Sequence, residues 1–134
     1  MRTLLVLSLL FLAAGCAPAY APGPAPGGSE PVIDGVVVVG AWDAVEVLGD
    51  PEATRDLERD VLVKTLTITA GGRVTLSGVD RRAGGGTQTY RGQLDGRRVT
   101  FEGLSGSAIL RVVRGRLHLE DPFGVTTVYR RISG

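Results

Sequence analysis

Apolar and polar residues fall into distinct regimes along the chain. Residues 4–14 (LLVLSLLFLAA) form an apolar run interrupted only by Ser8. Residues 17–29 (APAYAPGPAPGGS) show no periodicity. From Val61 onward apolar and polar residues alternate, the period of a strand with one buried face.

The alternating region divides at turn residues. Residues 61–69 (VLVKTLTIT) and 73–79 (RVTLSGV) flank Ala70-Gly71-Gly72. Residues 87–94 follow the loop 81–86 (RRAGGG), and Asp95-Gly96 is a two-residue hairpin signal leading into 97–104. Residues 107–113, 116–120 and 125–132 come next, separated by Arg114-Gly115 and Asp121-Pro122-Phe123-Gly124. An earlier strand is expected over about residues 40–48. Asp50 as N-cap, Pro51 at the first helical position and Glu52 in the first turn predict one short helix ending near Asp60. The prediction is therefore all-β: an antiparallel up-and-down barrel of about eight short strands, with a helix between the first two.

Residues two apart share a face. Leu66 with Ile68, Val74 with Leu76, Tyr90 with Leu94, Val99 with Phe101, and Leu117 with Leu119 are the expected inward pairs. Thr65, Thr67, Thr75, Arg91, Thr100, Glu102, Arg116, His118 and Glu120 then face solvent. Two strands stay open. Both parities of 107–113 hold apolar residues, and in the last strand Val128 with Ile132 competes with Val125 with Tyr129.

The N-terminal run is too short to span a bilayer, which takes about 20 apolar residues, and has the length of a signal-peptide core. Ala13-Ala14-Gly15-Cys16 resembles the lipobox of bacterial lipoproteins, with Ala13 where leucine is usual. The resemblance implies a signal peptide over 1–15, lipid on Cys16 and a membrane anchor. The alternative is an ordinary secreted protein cut after Ala17-Pro18-Ala19, with Cys16 removed. Residues 16–31 read as a tether whose Pro, Ala and Gly bury too little to order it; its segment 17–29 reaches roughly 40 Å at about 3.1 Å per residue. Residues 32–134 form one small domain. Cys16 is the sole cysteine, so the domain is stabilised by its core and not by a disulfide. Ala17 is not the aspartate that resembles an inner-membrane retention signal, which in a two-membrane cell directs the expectation to the outer membrane, periplasmic side.

Gly40-Ala41-Trp42 at the start of the first strand, the eight-strand meander and the closing Val128-Tyr129-Arg130-Arg131 together resemble the lipocalin-like barrels of the calycin type. The resemblance implies that Gly40, Trp42 and a late arginine close one end of the barrel, a structural set. Arg130 or Arg131 fits; Arg130, sharing parity with Val128 and Ile132, is the expected one. A guanidinium over an indole contributes roughly 0.5–2 kcal/mol.

Candidate chemistry is sparse. His118 is the one histidine, flanked across its strand by Arg116 and Glu120, and no second His or Cys joins it in a metal set. Ser77, Ser105 and Ser107 lack a nucleophile elbow, and Gly84-Gly85-Gly86 lacks the Lys and Ser/Thr of a phosphate loop. The expectation is no enzyme, no cofactor and no metal. Removing Arg2 leaves 14 basic against 14 acidic residues. Yet residues 30–60 hold nine acids against Arg55 and Arg59, and residues 61–134 hold 12 bases against five acids. Opposed charge blocks in a small domain are expected to meet, the acidic helix packing across a basic barrel surface. The other reading is a basic strand face for anionic headgroups, polysaccharide or a protein.

Function is expected to be binding: a small apolar or amphipathic ligand near Tyr90, Phe101 and Tyr129. The alternative is a structural or interaction protein of the envelope with a packed interior. A monomer is expected, with no nucleic-acid partner.

Overall fold

The computed structural model of the protein describes residues 30–82 and 84–133. Cys16, the apolar leader and the tether through Ser29 lie outside the described residues.

A two-stranded hairpin comes first, β1 (Val32–Ile33) and β2 (Val36–Val37), followed by β3 (Gly40–Val47), α1 (Pro51–Glu58), β4 (Leu62–Ile68), β5 (Arg73–Asp80), β6 (Thr87–Asp95), β7 (Arg98–Phe101), β8 (Ala108–Val113), β9 (Arg116–Glu120) and β10 (Thr126–Ser133). Strands β3 to β10 pair antiparallel with their chain neighbours, and β10 returns to pair with β3, closing an eight-strand barrel. The all-β barrel and its single helix match the alternation in the sequence. β7 is shorter than expected, ending at Phe101, and it meets β8 through only the pairs Arg98–Ile109 and Val99–Ala108. The turn expected at Asp95-Gly96 sits one residue later, because Asp95 pairs with Arg98 across Gly96-Arg97.

Local chemistry explains the ends of the elements. Asp50 accepts the Ala53 N–H at 2.9 Å, capping α1, with Pro51 beside the cap. The Thr54 hydroxyl accepts the Val47 N–H at 3.0 Å, tying the helix to the end of β3. Arg114-Gly115 takes positive φ at both residues, as a tight hairpin turn with the right twist requires.

Closure uses two bulges. Ala44 pairs with Tyr129 and Glu46 with Val128, leaving Val45 unpaired; Trp42 pairs with Arg131 and Ala41 with Ser133, leaving Ile132 unpaired. An extra residue shifts side-chain parity. In β3 the buried positions therefore run Trp42, Ala44, Val47.

The expected inward pairs all belong to the core cluster or pack against it. The two open strands also resolve. Ala108, Leu110 and Val112 of β8 face the core, and Tyr129 of β10 joins it, whereas Ile132 is 55% exposed. Val128 is buried but stands outside that cluster, between Glu46 and His118 in register. Gly92 faces inward beside β7: a Cβ there would lie 2.5 Å from the Thr100 carbonyl oxygen and 2.9 Å from Phe101 Cδ1. Gly92→Ala is expected to destabilise the barrel by about 1–3 kcal/mol, the usual cost of overpacking, read as a lower urea midpoint with unchanged slope.

Candidate functional site

The barrel has a hairpin end, where β3 begins and β10 finishes, and a helix end, carrying α1. At the hairpin end Trp42 is buried, and its indole Nε1 donates to the Val38 carbonyl at 3.0 Å. A guanidinium lies over the indole with its Cζ 4.2 Å from the ring centroid. It belongs to Arg131. Arg130, the residue favoured by strand parity, is exposed and pairs in register with Asp43 on the outer wall. Arg130 shares parity with Val128 and Ile132, but it is Tyr129 that faces the core and Arg131 follows it on that face. Arg131 donates further to the carbonyls of Val39 at 2.8 Å and Val37 at 2.5 Å. Gly40, at the start of β3, has φ of 132°, where a Cβ would be strained.

Residues 30–39 are strapped across this end. Ile33 and Val38 bury into the core, and the Val38 N–H bonds the Pro31 carbonyl at 3.0 Å. Asp34 and Gly35 both take positive φ, the tight hairpin turn for which Asp-Gly is a strong signal. That signal was readable in the sequence within a segment divided between tether and domain. The Asp34 carboxylate ion-pairs with Arg97 and accepts the Val112 N–H at 2.9 Å. These two contacts, Arg97 first, hold its carboxyl down at about 2.

Tyr90 and Phe101 do come together. Their ring centroids are 6.5 Å apart at 68°, an edge-to-face pair, and the Tyr90 hydroxyl donates to Gln88 Oε1 at 3.2 Å. Tyr129 lies in the core cluster, in register with Ala44 and Leu117. Burial pushes its phenol well above the usual range, so it remains protonated. Inward residues nearest the hairpin end are sealed: Ile68 is 1% exposed, Val74 and Val99 0%. Toward the helix end Leu62 reaches 9%, Leu76 and Tyr90 are half-buried, and an open cleft of about 540 Å³ runs beside β4 and β5.

The charge blocks do not meet as expected. α1 packs on β3 and β4, not across β5 to β9. Two ion pairs bridge the blocks, Asp56–Arg82 at 3.3 Å and Asp34–Arg97. Arg73, Arg91, Arg98, Arg116 and Arg130 stand exposed on the strands, with Arg114 in the turn between β8 and β9; none forms an ion pair among the described residues. The helix joins two adjacent strand ends through short links, so it has no reach to the opposite wall. His118 points outward between Arg111 and Val128 in register. Among the described residues, no three His, Cys, Asp or Glu side chains cluster to hold a metal ion.

Arg131→Met is expected to cost about 1–3 kcal/mol, from the lost cation–π contact and the part-buried Val39 carbonyl left without its donor, and to shift the emission of the sole tryptophan. Arg130→Met should stay within about 0.5 kcal/mol by urea unfolding. A carboxyl depressed from 3.8 to about 2 stabilises the fold above its ordinary value and loses that contribution as pH falls toward 2. Asp34→Asn should therefore be less stable than the parent at pH 5 and converge on it near pH 2, followed by thermal unfolding. Compared with protein-family models, with curated proteins and with solved structures, the chain matches none.

Proposed function

We propose that the protein is a lipid-anchored envelope lipoprotein that works by contact, presenting the outer wall of a packed barrel to an anionic surface. The observation that carries this reading is the filled core that runs inward from the hairpin end. Trp42, Leu66, Leu110, Leu117 and Tyr129, each at 1% exposure or less, belong to one continuous core cluster with Phe101. An eight-strand barrel has room for its own side chains or for one small ligand, and from the hairpin end inward its own side chains take the space.

The arginine wall supplies the contact surface. Arg73 stands opposite Gln93, and Arg91 opposite Thr75. Together with Thr100 and Glu102 they border a shallow outer cleft of about 400 Å³. A guanidinium near an anionic bilayer contributes about 1 kcal/mol, screened by salt within a Debye length of about 8–10 Å. Anchorage through Cys16, with the tether as spacer, keeps the wall within reach of headgroups or of wall polymer. A second reading, a small apolar or amphipathic ligand, draws support from the Tyr90–Phe101 pair and the lower burial toward the helix end.

Full-length chain in neutral micelles is expected to bind nanodiscs of anionic lipid and not zwitterionic ones, with affinity falling as salt rises. Replacing Arg73, Arg91, Arg98 and Arg116 together by Gln should lower that affinity by on the order of tenfold or more while leaving the thermal midpoint near the parent's. Equal binding to both lipids, or no loss in the Gln variant, would sink the wall as the contact surface.

A further inference from the structure

Lysine occurs once in the chain, at position 64, against fourteen arginines. Its place on β4 is unusual for a charge. Leu62, Leu66 and Ile68 are all buried, and Lys64 shares their inward parity. The nearest inward positions on the two flanking strands are small. Lys64 pairs with Gly78 on β5, Gly78 pairs with Gln88 on β6, and the next inward residue of β3 after the Asp43–Thr65 pair is Ala44. A Cβ at Gly78 would sit 3.9 Å from Lys64 Cγ and 3.6 Å from the Val63 carbonyl oxygen, ordinary contacts. The absent side chain at Gly78 thus leaves space directly beside the lysine stem.

That space is part of the cleft of about 540 Å³ toward the helix end, bordered by Leu62, Lys64, Gly78, Asp80, Arg82 and Gln88. The volume lies in the roughly 300–1,000 Å³ range of small-molecule sites. Asp80 is the one carboxylate of the lining, and it is committed: it accepts Arg82 Nε at 2.8 Å, Arg82 Nη2 at 2.7 Å and the Arg82 N–H at 3.0 Å. Arg82 in turn also reaches Asp56 at 3.3 Å. Lys64 forms no ion pair among the described residues. Lys64 is a half-buried residue lining a polar cleft whose one carboxylate is taken, and its charge lacks only a counter-ion.

We propose that this cleft binds a small molecule bearing an oxyanion, a carboxylate or a phosphate ester, with Lys64 as its counter-ion and Gln88 as a neutral hydrogen-bonding partner. The site is separate from the arginine wall and does not depend on the wall's role. Lys64 holds its ammonium as a point charge with rotatable donors, suited to an oxyanion of either geometry.

The single lysine makes the test direct. Reductive ¹³C-methylation of the full-length chain places a side-chain NMR signal at Lys64 alone, apart from any free amino terminus. Titration with glucuronate and with glycerol 3-phosphate is expected to give a saturable shift of that signal for at least one of them, and chloride at equal ionic strength should give none. The stronger response assigns the carboxylate or the phosphate class. In unmodified protein the same ligand should raise the thermal midpoint, and Lys64→Met should weaken binding by about tenfold to a hundredfold, the range of a charged hydrogen bond. Gly78→Ala should retain binding, and Gly78→Leu, which fills the space, should abolish it. The Gln variant of the arginine wall should bind as the parent does, which separates this site from the wall. No saturable shift with either probe, an equal shift with chloride, or unchanged affinity in Lys64→Met would overturn the proposal.

Discussion

The stack of Arg131 on Trp42 is the contact on which the rest of the barrel depends. Residues 37–39 lead from the N-terminal hairpin into the first barrel strand, and their three successive carbonyls accept Arg131 Nη2, Trp42 Nε1 and Arg131 Nη1. The Val38 bond is buried and the Val39 bond part-buried, and an orphaned buried carbonyl costs about 1–3 kcal/mol, so the seal depends on those two donors. A planar guanidinium is suited to the task because its face covers the indole while its edge still donates. The same pair lies at the junction of β3 and β10, where the sheet closes, so closing the barrel and capping its end are one event.

Sealing one end this tightly determines what the remaining surface is available to do. Side chains fill the interior from the hairpin end, and exposure rises only toward the helix end. Charged groups at the sealed end are committed to closing it, Arg131 to the indole and Asp34 to Arg97, and the remaining charges among the described residues stand on the outer wall and at the helix-end cleft. On the wall, short links hold α1 against β3 and β4, so the acids of the helix do not cover the exposed arginines of β5 to β9. The segregation follows from chain connectivity: a helix between neighbouring strands cannot cover a distant face.

Much of this was legible in the residues. Alternation placed Leu66, Ile68, Val74, Val99, Leu117 and Leu119 inside, because a period of two admits one answer where only one parity is apolar. The cap at Asp50-Pro51 identified the helix for an equally local reason. Legibility failed where both parities were plausible or where bulges intervened. Arg130 and Arg131 are adjacent and chemically identical, and only pairing with β3 decides which one meets Trp42. Asp34-Gly35 carried the same turn signal as Asp95-Gly96, but its strands are two residues each, too short for alternation to show. Lys64 reads as one polar residue among the threonines of β4; its neighbours Gly78 and Ala44 come from other strands.

The sequence by itself determined most of the local grammar: the strands of the barrel to within a few residues, the helix, most of the turns and most of the apolar faces, since each depends on neighbours within a few positions. Tertiary structure alone decided the bulges, which of the two arginines covers the indole, the strap of Asp34 on Arg97 and Val112, and the space beside Lys64. Those are contacts between residues up to 94 positions apart, set by register and twist across the whole barrel.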